Sequence, residues 1–187
     1  EKELTEILEK YRGTTLYVSH NRDEVYRICR KVCVINDGRS EKVSSVDEFF
    51  NAPPTLASAL LSGCKNYSKI KKLSNDTVYA VDWKTNLKCS AHVPIDAGYI
   101  GVRAHRILPL SNKHEGLNKI SCRVLEIRHD LFSVIVTVVP EDVDPRKEFS
   151  RIRMELPYLE DDSLRPGDSM AISIPPEMIM PLRNRMI

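Results

Sequence analysis

The chain has 187 residues, with 28 Lys and Arg against 26 Asp and Glu and a formal net charge of +2. That is room for one ordinary domain, or for a small one plus a piece of another, and the near balance of charge argues against a nucleic-acid binder. Five cysteines, an odd number without a C-x-x-C pair, argue against a disulfide framework or a four-cysteine zinc site and fit a reduced, cytosolic chain.

The opening residues EKELTEILEKYR are charged and place Leu4, Ile7, Leu8 and Tyr11 on one stripe, which predicts an amphipathic helix over 3–11. This is no signal peptide, and a chain that opens abruptly in a helix without Met reads as one that begins inside a larger protein. After Gly13, the β-branched and aromatic run TTLYV at 14–18 predicts a buried strand. Asn21 stands three residues before Glu24, a capping-box spacing, and Val25, Ile28 and Cys29 supply the stripe of the helix that follows. Val32, Val34 and Ile35 predict a short strand, with Cys33 as a small buried hydrophobe, and Asp37-Gly38 a turn. Ser45 and Glu48 repeat the cap spacing before a helix ending near Asn51; Pro53 and Pro54 interrupt, and 55–63 is one more helix. Residues 1–62 therefore read as the end of an α/β domain, too short to contain the parallel sheet that such helices cover.

From residue 63 to 187 the pattern is all-β. Short strands with Asn-rich turns are expected over 70–89, a strand over 99–107, a hairpin from 118–130 and 131–139, and two more strands in FSRIRMEL and SMAISIPP, the latter after a turn at Arg165–Asp168. Residues 62–68 and 140–147 read as irregular linkers. The whole predicts a partly closed small barrel. Its longest apolar run, VIVTVV at 134–139, is strand-sized and far below bilayer length. VIVTVV and MAISI carry few charges to discourage edge pairing, so a homodimer through the β-domain is expected.

The segment LYVSHNRDEVYRICRKVCVINDGRSEKVSSVDEFFNAP resembles the end of the nucleotide-binding subunit of an ABC importer, of the molybdate, tungstate or sulfate type. The order strand, histidine, helix, strand and Asp-Gly turn carries the likeness, over roughly the first third of the chain. The remainder resembles the family's C-terminal OB-like (TOBE/MOP-like) regulatory domain, through Gly101–Ile107 and Leu164–Pro176. In the former, Ala104 and His105 replace the family's Pro and Glu. The fold class expected is thus mixed: a partial α/β tail of an ABC ATPase domain followed by an all-β OB-like barrel.

On the residues alone, His20 reads as a polar residue at a helix start; the resemblance makes it the family's switch histidine. ATP hydrolysis needs a clamped γ-phosphate and an oriented water, and a neutral imidazole at a strand end can donate to a phosphoryl oxygen. No G-x-x-x-x-G-K-[ST] loop occurs, and no aliphatic run ending in Asp-Glu precedes His20, so the chain by itself is expected to be inactive as an ATPase and to bind neither ATP nor metal. Leu61-Ser62-Gly63 matches the family signature only by coincidence. The resemblance implies a full-length ATPase using ATP and Mg²⁺, acting as a homodimer on membrane permease subunits at the inner face of the cell membrane. It also implies an oxyanion-sensing role for the β-domain, for which Ser68, Lys69, Ser90 and Arg103 are candidates. Asp82 and Trp83 either line a groove or pack in the barrel, and His92, His105, His114 and His129 show no metal-ligand spacing. Two alternatives stand beside this reading: an independent small-ligand-binding or regulatory module, and a nucleic-acid-binding OB unit. The second is disfavoured because four Phe, one Trp and seven Tyr form no stripe interleaved with basic residues.

Overall fold

The computed structural model describes residues 6–8, 10–110, 117–157 and 164–184. Contacts divide the chain into a unit that reaches to Gly63 and a second unit, Cys64–Asn184.

In the first unit residues 6–8 and 10 are helical, within the span predicted for the opening helix; Leu4 lies outside the described residues. The next helix, Arg22–Ile28, begins where Asn21 predicts: the Asn21 side chain accepts from the N–H groups of Asp23 and Glu24. Strands β1 (Lys31–Val32) and β2 (Ile35–Asn36) split the single predicted strand, β3 (Arg39–Ser40) folds back on β2, and β4 (Ser44–Ser45) pairs with β1, all antiparallel. Asp37 and Gly38 both have positive φ, 50° and 72°, which is what a two-residue turn of type I′ requires. Ser45 and Glu48 form a complete capping box on the helix Val46–Asn51, and Thr55 and Ser58 form a second on the helix Leu56–Leu61.

Cys33 is exposed and not buried as predicted, lying between the two-residue strands β1 and β2 with its thiol donating to the Glu41 carbonyl at 3.2 Å. The run 14–18 is not the buried strand its composition predicts. It is irregular, with Leu16 91% and Val18 83% exposed. A strand exists only by pairing its backbone groups, and no described residue pairs with this run.

The second unit is all-β, as expected. Strands β5 (Asn66–Lys72), β6 (Thr77–Ala80) and β7 (Thr85–Lys88) form a meander. On the other side of β5 lie β8 (Ala97–Val102) and β14 (Met180–Arg183), giving the order β14-β8-β5-β6-β7. A second five-stranded antiparallel sheet has the order β12-β11-β10-β13-β9, from β9 (Leu108–Leu110), β10 (Lys119–His129), β11 (Val134–Pro140), β12 (Ile152–Leu156) and β13 (Ser169–Ser173). Both sheets feed one apolar core: Val78, Leu87, Ile100 and Val102 from the first meet Val124, Val136, Ile152 and Ile172 from the second. Trp83 belongs to this core, and its indole N–H donates to the Phe149 carbonyl at 2.9 Å.

Four expectations need correction. Residues 62–68 are not all linker, because β5 starts at Asn66, whose buried side chain bonds to Val102 and Arg153. The strand predicted over 99–107 ends at Val102 and turns into a 3₁₀ segment, Ala104–Arg106. The hairpin's second strand starts at Val134, leaving Leu131 and Phe132 in the turn. VIVTVV and MAISI are not edges, because β11 lies between β12 and β10 and β13 lies between β10 and β9. Each has a strand on both sides over most of its length, Val134–Val138 against β12 and Ala171–Ser173 against β9, so neither run presents an open edge there.

Candidate functional site

His20 stands one residue before the cap of its helix and is exposed. The backbone on both sides of it is fixed by a small network. The Ser19 hydroxyl accepts from the Asn21 N–H at 3.0 Å and donates to Glu24 Oε2 at 3.0 Å, and the Tyr17 hydroxyl donates to the same oxygen at 2.6 Å. Glu24 therefore does not close the capping box that its spacing suggests. Its carboxylate reaches back to the segment before His20, and these bonds, first that from Tyr17 and then that from Ser19, hold its pKa below the ordinary value. Charge-assisted bonds of this kind are the stronger ones. They make 17–24 a braced turn that presents an imidazole to solvent.

The four candidate anion residues of the β-unit do not share one place. Ser68 is fully buried opposite Ile100, and its hydroxyl accepts from the Asp82 N–H at 3.1 Å. The Lys69 N–H donates to Asp82 Oδ2 at 2.6 Å. A carboxylate of the protein itself thus occupies the position where Ser68 and Lys69 would meet an oxyanion, and a second anion there would face like charge. Ser90 is exposed beyond β7, its N–H donating to the Pro176 carbonyl at 3.1 Å. The registers Ile70↔Ala80 and Thr77↔Lys88 put Ser90 at the opposite end of the meander from Ser68 and Asp82. Arg103 follows β8 directly and is partly buried; Val102 stands opposite Asn66, so Arg103 lies at the start of β5, at Ser68's end of the sheet. With Arg106 it acts on His105, whose pKa is lowered first by burial and then by these two charges.

Asp82 and Trp83 are settled by these contacts: Asp82 ties the β6–β7 turn to β5, and Trp83 packs. The buried thiols of Cys89 and Cys122 are pushed up to about 11 and about 12 by desolvation, which keeps them protonated and unreactive at neutral pH. Among the described residues no group of three His, Cys, Asp or Glu could hold a metal ion, and no helix is long and apolar enough to cross a membrane. His114 lies outside the described residues. The contributions of Tyr17 and Asn66 carry no pattern in the sequence; only the acid at Glu24, seven residues after a tyrosine, hints at the first.

No protein-family model matches the chain. Its sequence is 28% identical over 134 residues to an sn-glycerol-3-phosphate import ATP-binding protein of Salmonella paratyphi A, and to the same protein of Salmonella typhi. The match covers 67% of this chain and 36% of each relative, so the chain spans about a third of their length. The resemblance to the ATP-binding subunit of an ABC importer is borne out by this match. Among solved structures, the cytoplasmic molybdate-binding protein ModG with molybdate bound superposes on 63% of this chain and 95% of its own at 14% identity and a TM-score of 0.47, too low for a fold argument.

Proposed function

We propose that this chain is the C-terminal part of the ATP-binding subunit of an ABC importer for a solute that carries a tetrahedral oxyanion. The 134-residue match to import ATP-binding proteins carries this reading. The relatives import sn-glycerol-3-phosphate, a phosphate ester, and molybdate, tungstate and sulfate share its tetrahedral oxyanion chemistry. In the full-length subunit, ATP and Mg²⁺ are held by segments absent from these 187 residues, and His20 donates to the γ-phosphoryl oxygen as hydrolysis proceeds. The braced turn of Tyr17, Ser19, Asn21 and Glu24 supports that role, since a donor aimed at developing charge works only if it is held in place. The β-unit is an OB-like regulatory domain, the subunits act as a homodimer against membrane permease subunits, and the assembly sits at the inner face of the membrane.

The test is His20→Ala in the full-length protein. A contact made mainly in the transition state lowers kcat far more than it weakens ground-state binding. The expected result is a kcat loss on the order of 100-fold with the ATP Kd unchanged. An unchanged kcat would reduce His20 to a structural residue.

A further inference from the structure

An antiparallel β-unit must protect its strand edges, because unpaired N–H and C=O groups template association. The outer edges here are each blunted. On β7, Asn118 accepts from the Lys88 N–H at 2.7 Å and donates to the Lys88 carbonyl at 2.8 Å. On β12, Asn66 does the same for Arg153, at 2.7 and 2.9 Å. β9 contains Pro109 and β14 contains Pro181, which interrupt any further ladder.

One stretch is different. β13 covers β10 only over Lys119–Arg123, and the Arg165–Asp168 turn closes that side through two bonds to Val124, both 2.9 Å. Beyond the bulge, Glu126, Ile127 and Arg128 pair with β11 on one side, and no described residue pairs with them on the other. Glu126 and Arg128 are exposed, while Ile127 is half-buried against the core. This run is self-complementary. If a second strand of the same sequence lies antiparallel beside it, with a two-fold axis at Ile127, each Glu126 faces an Arg128 and Ile127 faces itself.

We infer that this edge, Glu126–Arg128 of β10, receives a second copy of the chain. A two-fold contact needs a surface that matches itself under exchange of partners, and this run does so in charge and in register. A short ladder alone falls well below the roughly 1,200 Å² that a stable interface buries. The hairpin tip supplies more: Leu131 and Phe132 are 81% and 88% exposed. In the antiparallel register they extend past the ladder toward the Arg165–Asp168 turn of the second copy, which lies along the same edge. The inference rests on the paired state proposed above and names its surface.

The test is sedimentation equilibrium of the 187-residue chain at micromolar concentration, with a charge swap. Glu126→Arg places like charges across the axis twice, and so does Arg128→Glu; each should raise the dimer Kd roughly tenfold. The double variant E126R/R128E restores opposite charges and should return the Kd to the starting value, which excludes misfolding as the cause. Phe132→Ala should also weaken the dimer without touching the ladder. A monomeric starting chain, a Kd indifferent to the single swaps, or a folded double variant that fails to recover would each overturn the assignment. None of these outcomes bears on the kcat of His20→Ala, so the two proposals fail separately.

Discussion

Asn66 offers the sharpest test of how the β-unit is held together. It is 1% exposed, and its amide makes three bonds: Oδ1 accepts from the Arg153 N–H at 2.7 Å, and Nδ2 donates to the carbonyls of Arg153 at 2.9 Å and Val102 at 3.1 Å. One side chain therefore ties the start of β5 to the end of β8 and, across the core, to β12 in the other sheet. Asn66→Ala removes all three bonds and leaves one donor and two acceptors without this partner. At about 1 kcal/mol net per bond the loss is about 3 kcal/mol, and more if the Arg153 N–H finds no water. Trp83 is the sole tryptophan and is buried in this unit, so its fluorescence in urea follows the unit selectively. With a slope of about 2 kcal/mol per molar, the midpoint should fall by about 1.5 M. A fall of less than about 0.5 M would mean that water replaces the amide at no cost and that Asn66 does not hold the sheets. Asn66→Asp keeps the acceptor, loses both donors and buries a charge, so it should be no milder.

The thiols should separate by burial: in the native protein Cys33 should react with an aromatic disulfide reagent at once and Cys29 more slowly, while Cys64, Cys89 and Cys122 react only on unfolding, as counted by absorbance with and without urea. Cys89 and Cys122 also give stability a pH dependence. Their folded pKa values stand above the ordinary 9.0, at about 11 and about 12, so the stabilisation is full below pH 9 and is lost as pH rises through these values. Unfolding free energies from urea titrations at pH 8 and pH 10 should therefore differ by about 1 kcal/mol less in Cys122→Ala than in the unaltered chain, one pKa unit being worth about that much.

Local chemistry was legible where one short stretch decides the backbone. Asn21, Ser45 and Asp37-Gly38 each act within four residues, and the caps and the turn stand where they were read. Even the bulge in β10 shows in the sequence. Its apolar positions run Ile120, Cys122, Val124 and then Ile127, a slip from period two that the extra residue Leu125 accounts for. Strands β9 and β14 carry no strand signal for an equally local reason. Pro109 and Pro181 argue against a strand, and the structure uses both at edges, where proline is tolerated.

What stayed hidden depends on partners distant in the chain. VIVTVV and TTLYV are both apolar and β-branched, and composition makes both buried strands. The first has β10 and β12 on its two sides and is buried nearly throughout; the second has no described strand beside it, and Leu16 and Val18 are exposed. The same limit governs the candidate sites. Ser68 was a fair anion ligand until the fold brought Asp82 to it from 14 residues away, filling with an internal carboxylate the place intended for a ligand. His20 escapes this fate because its bracing groups, Tyr17, Ser19, Asn21 and Glu24, are all within four residues of it. A site whose supports are local keeps its geometry without distant partners, and the chain spans about a third of the relatives it matches; under the role proposed for His20, the phosphate contacts come from other segments of the subunit. The turn of Tyr17, Ser19, Asn21 and Glu24 is therefore expected to hold its geometry in the 187-residue chain by itself.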